Sequence, residues 1–114
     1  MVRTYYIPNR GDIAWVDLDP VRGHEQGGRR PVFVVSSKYY NEKSGLMLVC
    51  PITSQIKGYP FEVVFISKQI KGAILTDQVR SIDWDNRDTD FAGKIDDPVV
   101  ETVQGKLKRL IDGL

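Results

Sequence analysis

Between Asp19 and Arg30 the chain reads Asp-Pro-Val-Arg-Gly-His-Glu-Gln-Gly-Gly-Arg-Arg, a segment that holds the only histidine, His24, beside Glu25 and ahead of Arg29 and Arg30. A carboxylate or imidazole next to paired guanidinium groups suits cleavage of a ribose phosphodiester by its neighbouring 2′-hydroxyl. That reaction needs a base for the hydroxyl proton, positive charge on the phosphate, and a proton for the leaving 5′-oxygen. Glu25 or His24 can serve as the base. Arg30 is a permanent clamp for phosphate oxygens rather than a proton shuttle. The residues alone leave the proton path open. A second cluster, Pro51-Ile52-Thr53-Ser54-Gln55, ends an apolar run in two hydroxyls and an amide. Such groups contact phosphate and sugar, and they are equally common in strand-end turns. Lys57 precedes Gly58-Tyr59-Pro60-Phe61, where rings beside a cation can stack bases; a turn at Gly58 and Pro60 that sends Phe61 into the core accounts for the same residues. Asp77, Gln78 and Arg80 interrupt an apolar stretch and face either a groove or water. Trp15 and Trp84 read as packing residues.

These side chains need rigid elements to hold them. Short runs rich in Val, Ile, Tyr, Phe and Trp, separated by turn residues, predict strands at Asp12 to Leu18, Pro31 to Ser37, Leu46 to Thr53, Phe61 to Ile66 and Ala73 to Ile82, with a short sixth at Phe91 to Lys94. Pro31 begins its run and Pro51 nearly ends another, positions where an edge or a bulge tolerates a missing donor. Helical turns are expected at Ser37 to Lys43, ending at Gly45, and at Lys68 to Lys71, before Gly72. A long helix should start after Asp96-Asp97-Pro98 and run to about Asp112. Its apolar stripe of Val100, Val103, Leu107, Leu110 and Ile111 must be covered by the sheet or by another subunit. Several short strands and one terminal helix in a small chain imply a strongly curved sheet or small barrel. The connection from Asp19 to Arg30 far exceeds a hairpin loop, and long loops held on rigid strands often carry function.

Composition bounds the possibilities. The 114 residues amount to one domain, and 41% hydrophobic with 27% charged residues is ordinary for a globular protein. One cysteine, Cys50, and one histidine preclude an internal disulfide and a zinc site of thiolates and imidazoles, so no metal or cofactor is expected. No segment resembles a signal peptide or membrane span, and the expected location is the cytoplasm. The net charge of +1 conceals a division: residues 1 to 82 carry +4, residues 83 to 101 carry −5, and the tail +2. Arg22, Arg29, Arg30, Lys38, Lys43 and Lys57, against only Glu25 and Glu42 between positions 20 and 60, permit a local basic surface for RNA or an acidic peptide.

Gly11-Asp12-Ile13-Ala14-Trp15-Val16-Asp17-Leu18-Asp19-Pro20, followed by Gly23-His24-Glu25-Gln26 and Arg29-Arg30-Pro31, resembles the opening of the MazF/PemK toxins. Val49-Cys50-Pro51-Ile52-Thr53-Ser54 with Lys57-Gly58-Tyr59-Pro60-Phe61-Glu62-Val63, and then Thr76-Asp77-Gln78-Val79-Arg80-Ser81-Ile82, resemble two further family blocks in order. The resemblance implies that residues 1–114 form a single toxin domain, mainly β, built as a small SH3-like barrel of five to seven strands with short helical turns and a C-terminal helix. It further implies a sequence-specific, metal-independent endoribonuclease that acts as a homodimer on single-stranded mRNA, arrests growth, and is neutralised by a MazE-like antitoxin. Arg30 and Thr53 would be the catalytic pair, with Glu25 also catalytic, and the products a 2′,3′-cyclic phosphate and a 5′-hydroxyl. His24, Arg29, Ser54, Lys57, Asp77, Gln78 and Arg80 would contact RNA. Leu75 stands where the Kid/PemK branch carries an arginine, which places the chain nearer the MazF branch. Two alternatives share the architecture: a gyrase poison of the CcdB type, whose terminal tryptophan is missing here, and a non-catalytic SH3-like module, which leaves Glu25, Arg30 and Thr53 without a reason.

Overall fold

A computed structural model describes residues 6–68 and 70–113. Its elements are β1 (Asp12–Asp17), β2 (Arg29–Val34), α1 (Lys38–Ser44), β3 (Leu46–Thr53), β4 (Glu62–Ile66), β5 (Lys71–Leu75), a 3-10 turn (Thr76–Gln78), β6 (Arg80–Asp83), β7 (Asp90–Lys94) and α2 (Asp97–Asp112). The strands form one curled antiparallel sheet in the order β4-β5-β3-β2-β1-β7, and β6 pairs with β3. Seven strands with a C-terminal helix match the expected small barrel, left open between β4 and β7.

Strand alternation sorts the apolar residues of β1 and β2 onto two faces, both buried. Ile13, Phe33, Cys50, Ile52, Ile74, Val103 and Leu107 fill the face that α2 covers. Ala14, Val16, Val32, Val34, Met47, Val49 and Ile82 fill the other, with Trp84 packed against them. Burial on both faces explains why these strands read as almost continuous apolar runs. Trp84 also donates its indole N–H to the Asn41 carbonyl, as a packing residue with a satisfied donor should. Ser37 caps α1 by accepting from the Tyr40 amide, and Gly45 ends the helix as anticipated.

Four expectations are corrected. The strand expected at Ala73 to Ile82 is two strands joined by the 3-10 turn, because their registers against β3 differ by three residues, the length of that turn, while the Thr76 amide continues the β4–β5 register onto the Phe61 carbonyl at 3.2 Å. The chain thereby steps along one edge of β3, whose end pairs with β5 and whose start pairs with β6. Pro51 sits at this step. β2 begins at Arg29 rather than Pro31 and ends at Val34, since Asp17 and Val16 of β1 pair with Arg29 and Arg30. The helical turn expected at Lys68 to Lys71 is instead a hairpin turn closed by Ser67 and Ile70, with Lys71 already in β5; Gln69 lies outside the described residues. In α2, Val103 and Leu107 are buried in the core, whereas Ile111, near the C-terminal end of the helix, is 83% exposed.

Candidate active site

Adjacent strands bring Arg30 and Thr53 together. The β2–β3 ladder runs out at Val32 with Pro51, and beyond it the Arg30 side chain reaches the carbonyl of Ile52, the residue before Thr53. The Arg30 guanidinium is held by two carbonyls: Nε donates to Gly27 at 3.1 Å and Nη1 to Ile52 at 3.2 Å. Nη2 has no protein acceptor among the described residues and is left to bind an anion. Thr53 is buried, and its Oγ1 accepts from the Gln55 amide at 3.1 Å, so the hydroxyl proton remains to be donated. Gly72 makes this approach of β5 possible, since a Cβ there would lie 2.4 Å from the Thr53 carbonyl oxygen.

Two recesses flank the end of β3. The first, about 400 Å³, is lined by Trp15, Arg30, Pro31, Ile52, Ser54, Ile70 and Lys71. The second, about 460 Å³, collects Glu25, Asp77, Gln78 and Arg80 beside Pro51. The candidate residues thus divide. Ser54 joins Arg30; Glu25 lies across the strand end, its Oε1 accepting from the Arg22 amide of its own loop. Gln78 accepts from the Gln26 amide at 3.0 Å, and Arg80 donates to the Leu18 carbonyl at 3.0 Å, so both brace the long loop as well as line the recess. His24, Arg29 and Lys57 line neither recess. His24 is exposed on the loop. Arg29 pairs with Asp90 at 2.7 Å and donates to the Asp88 carbonyl. Lys57 is exposed, with Nζ 6.0 Å from the Tyr59 ring centroid. A larger groove of about 940 Å³, between β4 and β7, holds none of these residues.

Trp15 departs from its expected packing role: it is 39% exposed and forms a wall of the Arg30 recess. Strand alternation places it on the face of Ile13, but it is not part of the cluster that α2 covers. Lys71 and Ile70 entered the site equally unannounced, carried there by β5. The Cys50 thiol is pushed up to about 12, first by burial and then by the Asp77 charge, so it stays protonated within the core. Among the described residues, no three acidic, histidine or cysteine side chains gather in a way that would hold a metal ion. No helix of the described residues is long and apolar enough to cross a membrane.

The family model for the PemK-like, MazF-like toxin of type II toxin-antitoxin system matches residues 9–111. The chain belongs to the PemK/MazF family. It is 43% identical over 106 residues to the endoribonuclease toxin MazF of Escherichia coli K12, spanning 93% of this chain and 96% of that protein. The crystal structure of MazF from Deinococcus radiodurans superposes with a TM-score of 0.91 at 42% identity, covering 96% of this chain and 100% of that one. The toxin chain of a MazE–MazF complex from the same organism gives a TM-score of 0.83 at 37% identity, with 94% and 97% coverage. The resemblance read from the three sequence blocks therefore holds for the PemK/MazF family and its fold.

Proposed function

We propose that this PemK/MazF chain is an endoribonuclease toxin, with residues 1–114 acting as one domain, which cuts single-stranded mRNA at a short motif without a metal ion. The observation that carries the reading is the Arg30 guanidinium braced by the Gly27 and Ile52 carbonyls beside Thr53, with a spare edge left for an anion. Such a preorganised donor stabilises charge developing on a phosphate without having to reorganise during the reaction. The scissile phosphate sits on Arg30 Nη2 and the Thr53 hydroxyl, with flanking nucleotides in the two recesses. Glu25 takes the 2′-hydroxyl proton, the 2′-oxygen attacks phosphorus, and the bond to the 5′-oxygen breaks as that oxygen takes a proton from solvent water, to which Glu25 returns its own. A 2′,3′-cyclic phosphate and a 5′-hydroxyl remain. To reach the ribose, Glu25 must leave the Arg22 amide, an exposed hydrogen bond worth about 1 kcal/mol.

Ser54, Lys57, Gln78 and Arg80, with His24 and Asp77, extend the RNA contacts, and Arg29 joins them by releasing Asp90. The inhibitor is a MazE-like antitoxin that lays an acidic segment along the same groove. The active form is a homodimer in the cytoplasm. With the α2 stripe largely covered, the apolar surface left for a second copy includes Tyr39 and Tyr40 of α1 and Leu46 and Leu48 of β3, all exposed.

The test incubates purified protein with a long unstructured RNA in EDTA and maps the ends by primer extension, alongside Arg30→Ala and Thr53→Ala. Cutting at one motif, lost in both variants, is expected. A folded wild-type protein that leaves the RNA intact overturns the reading and returns the gyrase-poison and binding-module alternatives.

A further inference from the structure

The loop between β1 and β2 is closed at its neck by groups outside it. Three consecutive carbonyls at the end of β1 are held by two arginines from the β6–β7 segment. Arg87 Nη1 donates to both the Asp17 and Asp19 carbonyls, each at 2.9 Å, and Arg80 Nη1 donates to Leu18 between them at 3.0 Å. The Asp19 carboxylate then crosses the neck and accepts from the Gly28 amide at 2.9 Å, while Leu18 N–H donates to the Gly28 carbonyl at 3.0 Å. Gly27 is pressed against this strut: a Cβ there would sit 2.8 Å from Asp19 Oδ1 and 2.6 Å from a Val21 methyl. The Gly27 carbonyl is the acceptor for Arg30 Nε.

Resting on the ribonuclease reading above, we infer that Arg87 is a positioning residue that sets the Arg30 guanidinium through the loop neck, without touching RNA. A phosphate contact is the obvious other use for an arginine, but the surroundings oppose it. The recess around Arg87 is lined by Asp17, Asp19, Asp83 and Asp88, so an approaching phosphate would meet four carboxylates. The turn presenting Arg87 is itself braced: the Asp83 carboxylate accepts from the Asp85 and Asn86 amides and from the Asn86 side chain at 2.7 Å. The Asn86 side-chain hydrogen bond, foremost among several causes, holds the Asp83 carboxyl below the usual carboxylate range, which keeps the brace ionised.

Arg87→Ala, Arg87→Lys and Asp19→Ala test the inference in the full chain. Misplacing a catalytic group by about 1 Å costs about 100-fold, so Arg87→Ala should lower kcat by about 10- to 100-fold with KM within about 3-fold. Lysine can still reach both carbonyls through one ammonium and should restore part of kcat. Without substrate, NMR should show faster exchange of the Leu18 and Gly28 amides and of the Arg30 Nε–H proton. Asp19→Ala, which removes the strut from its other end, should give the same signature and stands in if Arg87→Ala does not fold. Loss expressed in KM, with the salt slope of RNA binding reduced by about one, would make Arg87 a phosphate contact and overturn the inference. Unchanged exchange at Gly28 and Arg30, or faster exchange with wild-type kcat, would overturn it too. A wild-type protein that cuts no RNA refutes the ribonuclease reading instead, and the exchange measurements then decide the clamp alone.

Discussion

Replacing Arg30 by lysine keeps a positive charge at the end of β2 and removes the planar fork. The guanidinium spends Nε on Gly27 and one Nη1 proton on Ile52, then presents Nη2 outward. An ammonium cannot brace against both carbonyls and still offer a fixed edge to phosphate. Losing one preorganised donor to a developing oxyanion costs about 100- to 1,000-fold in kcat, so Arg30→Lys should fall by that factor and Arg30→Ala by at least as much. The two lost hydrogen bonds to partly buried carbonyls, at about 1 kcal/mol each, predict a destabilisation of about 2 kcal/mol. For a chain of this length that lowers Tm by about 8 to 12 °C, which calorimetry resolves. Cleavage is measured under single-turnover conditions well below Tm, on an RNA carrying the mapped motif, so that folding and chemistry are separated. If Arg30→Lys stays within about 3-fold of wild-type kcat while Tm falls as expected, the arginine is a structural brace and its catalytic role is refuted.

Thr53→Ser retains the hydroxyl and should keep kcat within about 5-fold, whereas the near-isosteric Thr53→Val should lose about 100-fold with little change in KM. Gly72→Ala forces β5 away from the Thr53 carbonyl, and urea denaturation should show a loss of about 1 to 3 kcal/mol with reduced cleavage. Cys50 makes stability fall at high pH. Its folded value, about 12, lies above the ordinary thiol value of 9.0, so its contribution is full below about pH 9 and is lost as the pH rises toward 12. Urea midpoints at pH 7 and pH 10.5 should therefore converge for Cys50→Ala relative to wild type; equal pH dependence in the two proteins would refute the burial argument.

Most of the strands, the capped α1 and the start of α2 were legible in the residues, because each rests on local signals: β-branched and aromatic runs, Ser37 and Gly45, or Asp96-Asp97-Pro98. The three family blocks were legible in the same way, and they led to the PemK/MazF family. Failures cluster where a partner strand decides. The polar run at Asp77, Gln78 and Arg80 reads equally well as one face of a continuous strand, and the break there follows from β3 offering its edge to two strands whose registers differ by three residues.

The same distinction separates the chemistry from its arrangement. Residue types are local facts, so the presence of a base, a guanidinium and a hydroxyl in particular segments could be read from the chain. Which groups share a recess depends on contacts between residues far apart in sequence. Trp15 enters the Arg30 site because β1 runs beside β2, and Glu25 stands across the end of β3 because the neighbouring Gln26 amide donates to Gln78, 52 positions away. Arg87 holds carbonyls 70 and 68 positions away. Hydrogen bonds of that span leave no periodicity or motif behind, since only the curled sheet brings donor and acceptor within 3 Å.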